Sequence, residues 1–118
     1  MFDFEKLETW NEAIAFADIV YHLTRRFPAE EQFGLTNQMR RAAVSISSNL
    51  AEGCSRSSKV DYARFVEIAT GSVFEVVSQA TIGRNQGFLN PTDYDLLYSA
   101  AEKQSRMLSG LKKSLETH

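Results

Sequence analysis

Five polar side chains fall on one stripe of a helical stretch in the first half of the chain, and they are the residues best arranged to do chemistry. They are Gln38, Arg41, Ser45, Asn49 and Glu52. Their positions fall within about 80° of arc at 100° per residue, so one helix presents all of them together. Arg41 and Glu52 would lie about 16 Å apart along that helix, too far for a direct ion pair. Each charge therefore needs a partner from another helix or another chain wherever it is buried.

This polar stripe has two interpretations. In the first, it is a structural network that joins helices and subunits, with Glu75 of a later helix as a further member. In the second, it is a strip that contacts a ligand or RNA. We favour the structural network, and the ligand or RNA strip is the alternative.

Residues that would support catalysis or metal binding are scattered rather than grouped. The two histidines are His22 and His118, and neither follows a glutamate by three residues, the spacing that di-metal helical bundles use. Ser45 and its neighbours lie on a helix without a positioned base, so they make poor nucleophiles. The six glycines form no phosphate-binding loop. We therefore predict no enzyme, no metal site and no cofactor.

Positive charge is concentrated in the middle of a chain whose net charge is -2. Residues 36–64 carry a local excess of basic side chains, supplied by Arg40, Arg41, Arg56, Lys59 and Arg64. One explanation is an ordinary solvated surface, and the other is a patch that contacts nucleic-acid phosphates. A net acidic chain argues against a general nucleic-acid binder, but a ring-shaped oligomer would repeat the patch and strengthen its field.

Apolar residues that recur every three or four positions predict four helices that carry these side chains. We expect them at residues 8–26, 36–53, 58–86 and from 91 onward. Thr36, Ser58 and Asn90 have the side chains and spacing of N-caps. Pro28 should stop the first helix, and Gly53 should end the second in the left-handed conformation that glycine tolerates.

Long helices joined by short connections are typical of an antiparallel up-down-up-down four-helix bundle. We therefore predict an all-α fold with residues 1–118 as one domain. The fourth helix has a coiled-coil-like apolar seam with one polar member, Gln104, which we expect to be buried and to fix the register. Phe27 and Phe33 flank the first connection and should plug that end of the bundle.

The second and third helices have features of surfaces that are contacted on more than one side. A surface helix normally has one apolar and one charged face, whereas residues 34–53 are mostly small, apolar or uncharged. Ile68, Phe74 and Ile82 lie off the apolar stripe of the third helix and suggest a second contact surface. These patterns predict association with another copy of the chain.

The apolar runs, the N-terminal sequence and the cysteine count indicate where in the cell the protein is expected. The chain has no run of about 18 apolar residues, so we expect no membrane span. Its acidic N-terminus lacks the basic start and apolar core of a signal peptide. Cys54 is the single cysteine, which excludes an internal disulfide and favours a reducing cytoplasm. We expect its thiol to be a buried or half-buried side chain rather than a reactive one.

Several blocks of the sequence together resemble the bacterial family of 23S rRNA intervening-sequence proteins. The blocks are Gly34-Leu35, Gln38, Arg40-Arg41-Ala42-Ala43-Val44-Ser45-Ile46, Asn49-Leu50-Ala51-Glu52-Gly53, and Gly71-Ser72 followed by Glu75. The resemblance extends over essentially the whole chain, and the block on the second helix is the most specific part.

The resemblance implies a helical bundle that assembles as a homopentameric ring and has no known catalysis. It also implies a relation to the accessory proteins of diversity-generating retroelements, which are basic barrels that bind nucleic acid and a reverse transcriptase. RNA or DNA, and an enzyme that acts on nucleic acid, are therefore the implied partners. This chain departs from those accessory proteins in being net acidic.

Two functional hypotheses follow. The first is a non-enzymatic homo-oligomeric bundle in the cytoplasm that binds nucleic acid or a nucleic-acid-associated protein. The second is a bundle that binds a small molecule or a metal ion.

Overall fold

The computed structural model describes residues 1–116, and these residues form four long α-helices without any β-strand. The helices are α1 (Glu8–Thr24), α2 (Leu35–Cys54), α3 (Lys59–Asn85) and α4 (Pro91–Glu116). Each helix packs against the next one in the chain, and α1 packs against α4. The result is the predicted antiparallel four-helix bundle, 47 Å long and about 22 Å across. The all-α prediction is confirmed.

The core consists of one apolar stripe from each helix. Its largest fully buried apolar members are Phe16, Val20, Met39, Ile46, Leu50, Val66, Val73, Val76, Leu97 and Leu108. Burying one such side chain contributes about 1.5–3 kcal/mol, so the four stripes together are the main source of stability. Gln104 lies fully buried among them, as predicted. Its side-chain amide donates a hydrogen bond to the Thr9 carbonyl at 3.3 Å, which links α4 to the first turn of α1.

Two of the three predicted N-caps are confirmed. The Ser58 hydroxyl accepts a hydrogen bond from the Asp61 amide at 3.1 Å, and the Asn90 side chain accepts one from the Asp93 amide at 2.8 Å. Thr36 does not cap α2, because the helix begins one residue earlier and Thr36 is buried inside it. The first amide of α2 is instead bound by the Glu31 carboxylate at 3.0 Å.

The prediction for Gly53 is wrong. Gly53 is helical and buried, and Gly87 is the one residue within 1–116 that has a positive φ. A Cβ atom added at Gly53 would lie 2.8 Å from the Phe65 Cβ and 3.1 Å from a ring carbon of Tyr62. Glycine is therefore needed here for the close approach of α2 to α3 and not for its conformational freedom.

The two phenylalanines of the first connection differ in burial. Phe27 is buried and contacts the Phe88 ring at 5.7 Å between centroids, so it plugs the bundle as predicted. Phe33 is 89% exposed, and the prediction that it fills the same end is wrong.

The first helix ends at Thr24, two residues before the predicted end.

Candidate functional site

The five predicted phosphate-contacting residues are divided between the two ends of the bundle. Arg40 and Arg41 lie in the second turn of α2, close to the end that carries the first connection. Arg56, Lys59 and Arg64 lie around the connection from α2 to α3, and we call this group the basic end. Since α2 rises about 20 Å between Arg41 and its last residue, the five side chains do not form one patch.

Arg40 is engaged within the bundle. Its Nε donates a hydrogen bond to the Thr24 hydroxyl at 2.9 Å, and its guanidinium lies 4.7 Å from the centre of the Tyr21 ring. The Thr24 hydroxyl in turn donates to the Val20 carbonyl at 2.7 Å. These contacts join the start of α2 to the end of α1, so the Arg40 side chain takes part in packing the bundle.

The basic end presents its cations more freely. The Arg56 guanidinium lies 2.7 Å from the Glu52 carboxylate and 4.8 Å from the centre of the Phe65 ring. Lys59 and Arg64 are exposed and have no carboxylate within ion-pairing distance in residues 1–116. They line a groove of about 610 Å³ together with Val60, Ala63, Glu67, Lys112, Leu115 and Glu116.

Lys112 also lies at this end of the bundle and was not among the predicted basic residues. Lys112 lies nearly fifty residues after Arg64, and its Nζ pairs with the Glu67 carboxylate at 3.3 Å. The antiparallel topology could have predicted the position of Lys112, because the last turns of α4 must lie beside the first turns of α3.

The polar stripe of α2 lines a groove between α2 and α3. This polar groove has a volume of about 320 Å³ and is formed by Gln38, Arg41, Ala42, Ser45, Ser72, Glu75 and Gln79. At its floor the Ser72 hydroxyl donates to the Ser45 hydroxyl at 3.1 Å. The Asn49 amide donates to the same Ser45 hydroxyl at 2.9 Å and to the Ser45 carbonyl at 2.7 Å. The groove thus brings Glu75 beside the α2 stripe.

The predicted network is only partly connected within one copy of the chain. Glu52 lies outside the groove and pairs with Arg56 instead. Arg41 and Glu75 are exposed on opposite walls, and neither makes a side-chain hydrogen bond or ion pair with residues 1–116. The buried Oε1 of Gln79 also accepts no hydrogen bond from these residues. The polar groove therefore holds unused charges and one unused acceptor.

Ser72 and Gln79 were missed as groove residues. The sequence feature that could have predicted them is a second, polar stripe on α3, in which Ser72, Glu75 and Gln79 recur at steps of three and four. That stripe was obscured because Ser72 is small and also fits the apolar stripe that faces the core.

Two further grooves carry exposed apolar side chains. The α1–α2 face, defined by Tyr21, Phe33 and Val44, lines a groove of about 610 Å³ that also contains Arg40 and Arg41. The α3–α4 face, defined by Phe74, Val77 and Tyr98, lines a groove of about 560 Å³ that also contains Val73, Ser78, Ala101, Glu102, Ser105 and Arg106.

The three off-stripe residues of α3 do not form one surface. Ile68, Phe74 and Ile82 are all exposed, as their positions predicted. At 100° per residue, however, Ile68 and Ile82 lie about 120° and 80° from Phe74 around the helix. Phe74 alone of the three lines the α3–α4 groove.

Acid–base and metal chemistry find little support in the described residues. Burial, with a smaller contribution from neighbouring Cys54, raises the pKa of Tyr62 to about 12. The Tyr62 hydroxyl therefore stays protonated near neutral pH and does not act as a base. Cys54 is half-buried. Residues 1–116 contain no group of three His, Cys, Asp or Glu side chains that could hold a metal ion, and His118 lies outside the described residues.

Most of the chain matches one known protein family. The sequence profile of the 23S rRNA-intervening sequence proteins matches residues 5–110. The chain belongs to this family. The match covers α1, α2, α3 and most of α4, and it includes every residue of the polar groove together with Arg56, Lys59 and Arg64, whereas Lys112 lies beyond it.

A solved structure agrees with the fold of this family member. It is the crystal structure of a protein of unknown function from the S23 ribosomal protein family of Bacteroides thetaiotaomicron. The two structures superpose with a TM-score of 0.79 at 17% identity, covering 89% of this chain and 98% of the other. No curated protein is significantly similar to the chain. Within residues 1–116, none of the helices has the length and apolar character that crossing a bilayer requires.

The link between Arg40 and Thr24 can be measured by a double-mutant cycle. We expect Arg40→Ala and Thr24→Val to be coupled by about 1–2 kcal/mol, because the hydrogen bond has a charged donor and a buried acceptor. Urea unfolding of the wild type, both single variants and the double variant, all at one protein concentration, gives this coupling. A coupling energy near zero would mean that this hydrogen bond does not stabilise the bundle.

Proposed function

We propose that this protein is a non-enzymatic homopentamer that binds nucleic acid through its basic end. The observation that carries the proposal is the exposure of large apolar side chains in two separate grooves of a bundle whose core is already filled. Apolar surfaces of this kind mark interaction sites in soluble proteins. Five copies is the number that the family resemblance implies.

Nucleic acid is proposed as the partner because the basic end is suited to phosphate. Lys59 and Arg64 are exposed cations in the first and second turns of α3, and Arg56 lies in the connection that precedes this helix. The family's name refers to an intervening sequence of 23S rRNA. In a ring whose copies point the same way, every basic end would lie on one rim. The rim would then attract phosphates more strongly than the net charge of one chain suggests.

The non-enzymatic part of the proposal rests on the geometry of the polar groove. It contains hydroxyls, amides, a guanidinium and a carboxylate, but no histidine or thiol beside the Ser45–Ser72 pair. A serine needs an adjacent base to become a nucleophile. We therefore assign the groove to binding or assembly.

A second candidate function is the binding of a small zwitterion in the polar groove. It is favoured by Arg41 and Glu75, which lie on opposite walls without an ion-pair partner among residues 1–116, and by the buried Oε1 of Gln79. The groove is at the small end of the range of known ligand sites. Stabilisation of the protein by a free amino acid, lost in Glu75→Gln, would favour this candidate.

The oligomeric state tests the first half of the proposal. We expect light scattering to give five times the 13.3 kDa of one chain at micromolar concentration. The physical reason is that the exposed apolar side chains leave water on association. A single-chain mass at all concentrations would refute the homo-oligomer.

The salt dependence of RNA binding tests the second half. We expect the wild type to bind single-stranded RNA at low salt and to lose affinity as salt rises. The double variant Lys59→Gln/Arg64→Gln should bind more weakly, and its slope of log affinity against log salt should flatten by about 1.4 for each engaged protomer, 0.7 for each lost phosphate contact.

A matched control removes the same charge from the other end of the bundle. Arg25 and Arg26 are exposed at the end of α1, far from the basic end. The variant Arg25→Gln/Arg26→Gln should bind RNA like the wild type. Equal losses in both double variants, or no binding by the wild type at low salt, would contradict a specific role of the basic end.

A further inference from the structure

The three predicted cations of the basic end differ in how their charge is used. Lys59 and Arg64 are exposed, and neither has an ion-pair partner among residues 1–116. Arg56 instead pairs with the Glu52 carboxylate at 2.7 Å. A carboxylate at this distance offsets the positive charge of the guanidinium, so Arg56 attracts a phosphate less strongly than the two unpaired cations do.

The Arg56 guanidinium is fixed in place but not covered. Its backbone amide donates a hydrogen bond to the Gly53 carbonyl at 3.0 Å, and its guanidinium donates one to the Glu52 carboxylate at 2.7 Å. The guanidinium lies 4.8 Å from the centre of the Phe65 ring, yet the side chain remains 42% exposed. A planar group that is ordered before its ligand arrives loses little conformational entropy on binding. Guanidinium planes and aromatic rings are the groups on which proteins stack unpaired bases.

The start of α3 presents different chemistry on two neighbouring sides. Lys59 and Arg64 line the groove towards α4, whereas Phe65 lies against Gly53 of α2. Arg64 and Phe65 are consecutive residues, so their side chains point about 100° apart around the helix. Asp61 is exposed one turn before Phe65, and its carboxylate makes the Phe65 side less favourable for a phosphate than for an uncharged base. A strand with its phosphates on the first side can therefore turn a base towards the second.

We propose that the Arg56 guanidinium, held over the Phe65 ring, is a stacking platform for one unpaired base of the bound nucleic acid. This inference rests on the proposed function, because it requires nucleic acid at the basic end. Lys59 and Arg64 hold the phosphates of the strand, and Arg56 contacts a base. The basic end then selects single-stranded nucleic acid, because each base of a duplex is already stacked and paired, and only an unpaired base can be turned out onto a side chain.

The test replaces Arg56 by lysine, which keeps the charge but lacks the planar guanidinium. The probes are a single-stranded RNA short enough to engage one protomer, an abasic RNA of the same length and a duplex RNA. We expect Arg56→Lys to weaken binding of the single-stranded RNA about tenfold, because one base loses its stacking partner. Binding of the abasic and duplex RNAs, and the salt dependence, should not change, since they depend on charge.

Two matched controls make the same substitution elsewhere. Arg64→Lys changes a cation of the basic end that lies over no aromatic ring of residues 1–116. Arg84→Lys removes a guanidinium that lies 4.3 Å from the centre of the Tyr94 ring, but at the opposite end of α3. Both variants should keep the wild-type ratio of affinities for single-stranded and abasic RNA. Circular dichroism and thermal unfolding of all three variants check that the fold is retained.

The outcomes separate this inference from the proposed function. A wild type that binds no single-stranded RNA at low salt overturns both. A wild type that binds single-stranded and abasic RNA equally overturns the stacking platform and leaves phosphate binding at the basic end standing. The same conclusion follows if Arg56→Lys lowers only the unfolding temperature and keeps the affinity ratio, or if Arg64→Lys or Arg84→Lys lowers that ratio as much as Arg56→Lys does.

Discussion

The close contact between α2 and α3 is the constraint on which the rest of the structure depends. Gly53 allows the end of α2 to lie against Phe65 and Tyr62, where any larger side chain would collide. This approach holds Arg56 over the Phe65 ring and places Lys59 and Arg64 at the surface around the same connection. Further along the same interface, the helices are close enough for Ser45 and Ser72 to share a hydrogen bond. The basic end and the polar groove are therefore two consequences of one helix–helix contact.

The other sides of α2 and α3 explain why assembly is central to the proposed function. Each of these helices must also pack against α1 or α4, and the outer margins of those contacts carry the two apolar faces. The buried stripes already fill the core, so the largely exposed Phe33 and Phe74 contribute less to the stability of a single copy than a buried phenylalanine would. Covering them with a second copy would remove apolar area from water at both sides of every protomer.

Periodicity was enough to predict the parts of the structure that depend on one helix at a time. The stripes, the caps at Ser58 and Asn90 and the burial of Gln104 follow from residue spacing. The errors arose where two helices meet. Gly53 suits both a left-handed cap and a tight crossing, and only the position of Phe65 decides between them. Likewise, the neighbours Arg40 and Arg41 differ in role because the rotation of α2 against α1 brings only Arg40 to Thr24.

Side-chain footprinting by hydroxyl radicals is the most direct test of the claim that a second copy covers both apolar faces. In a single copy Phe33, Phe74 and Leu96 are all at least half exposed, and all three should be oxidised readily. In the native oligomer we expect Phe33 and Phe74 to be protected while Leu96 remains reactive. Reactivity of all three side chains in proportion to their exposure in the single copy would contradict the account.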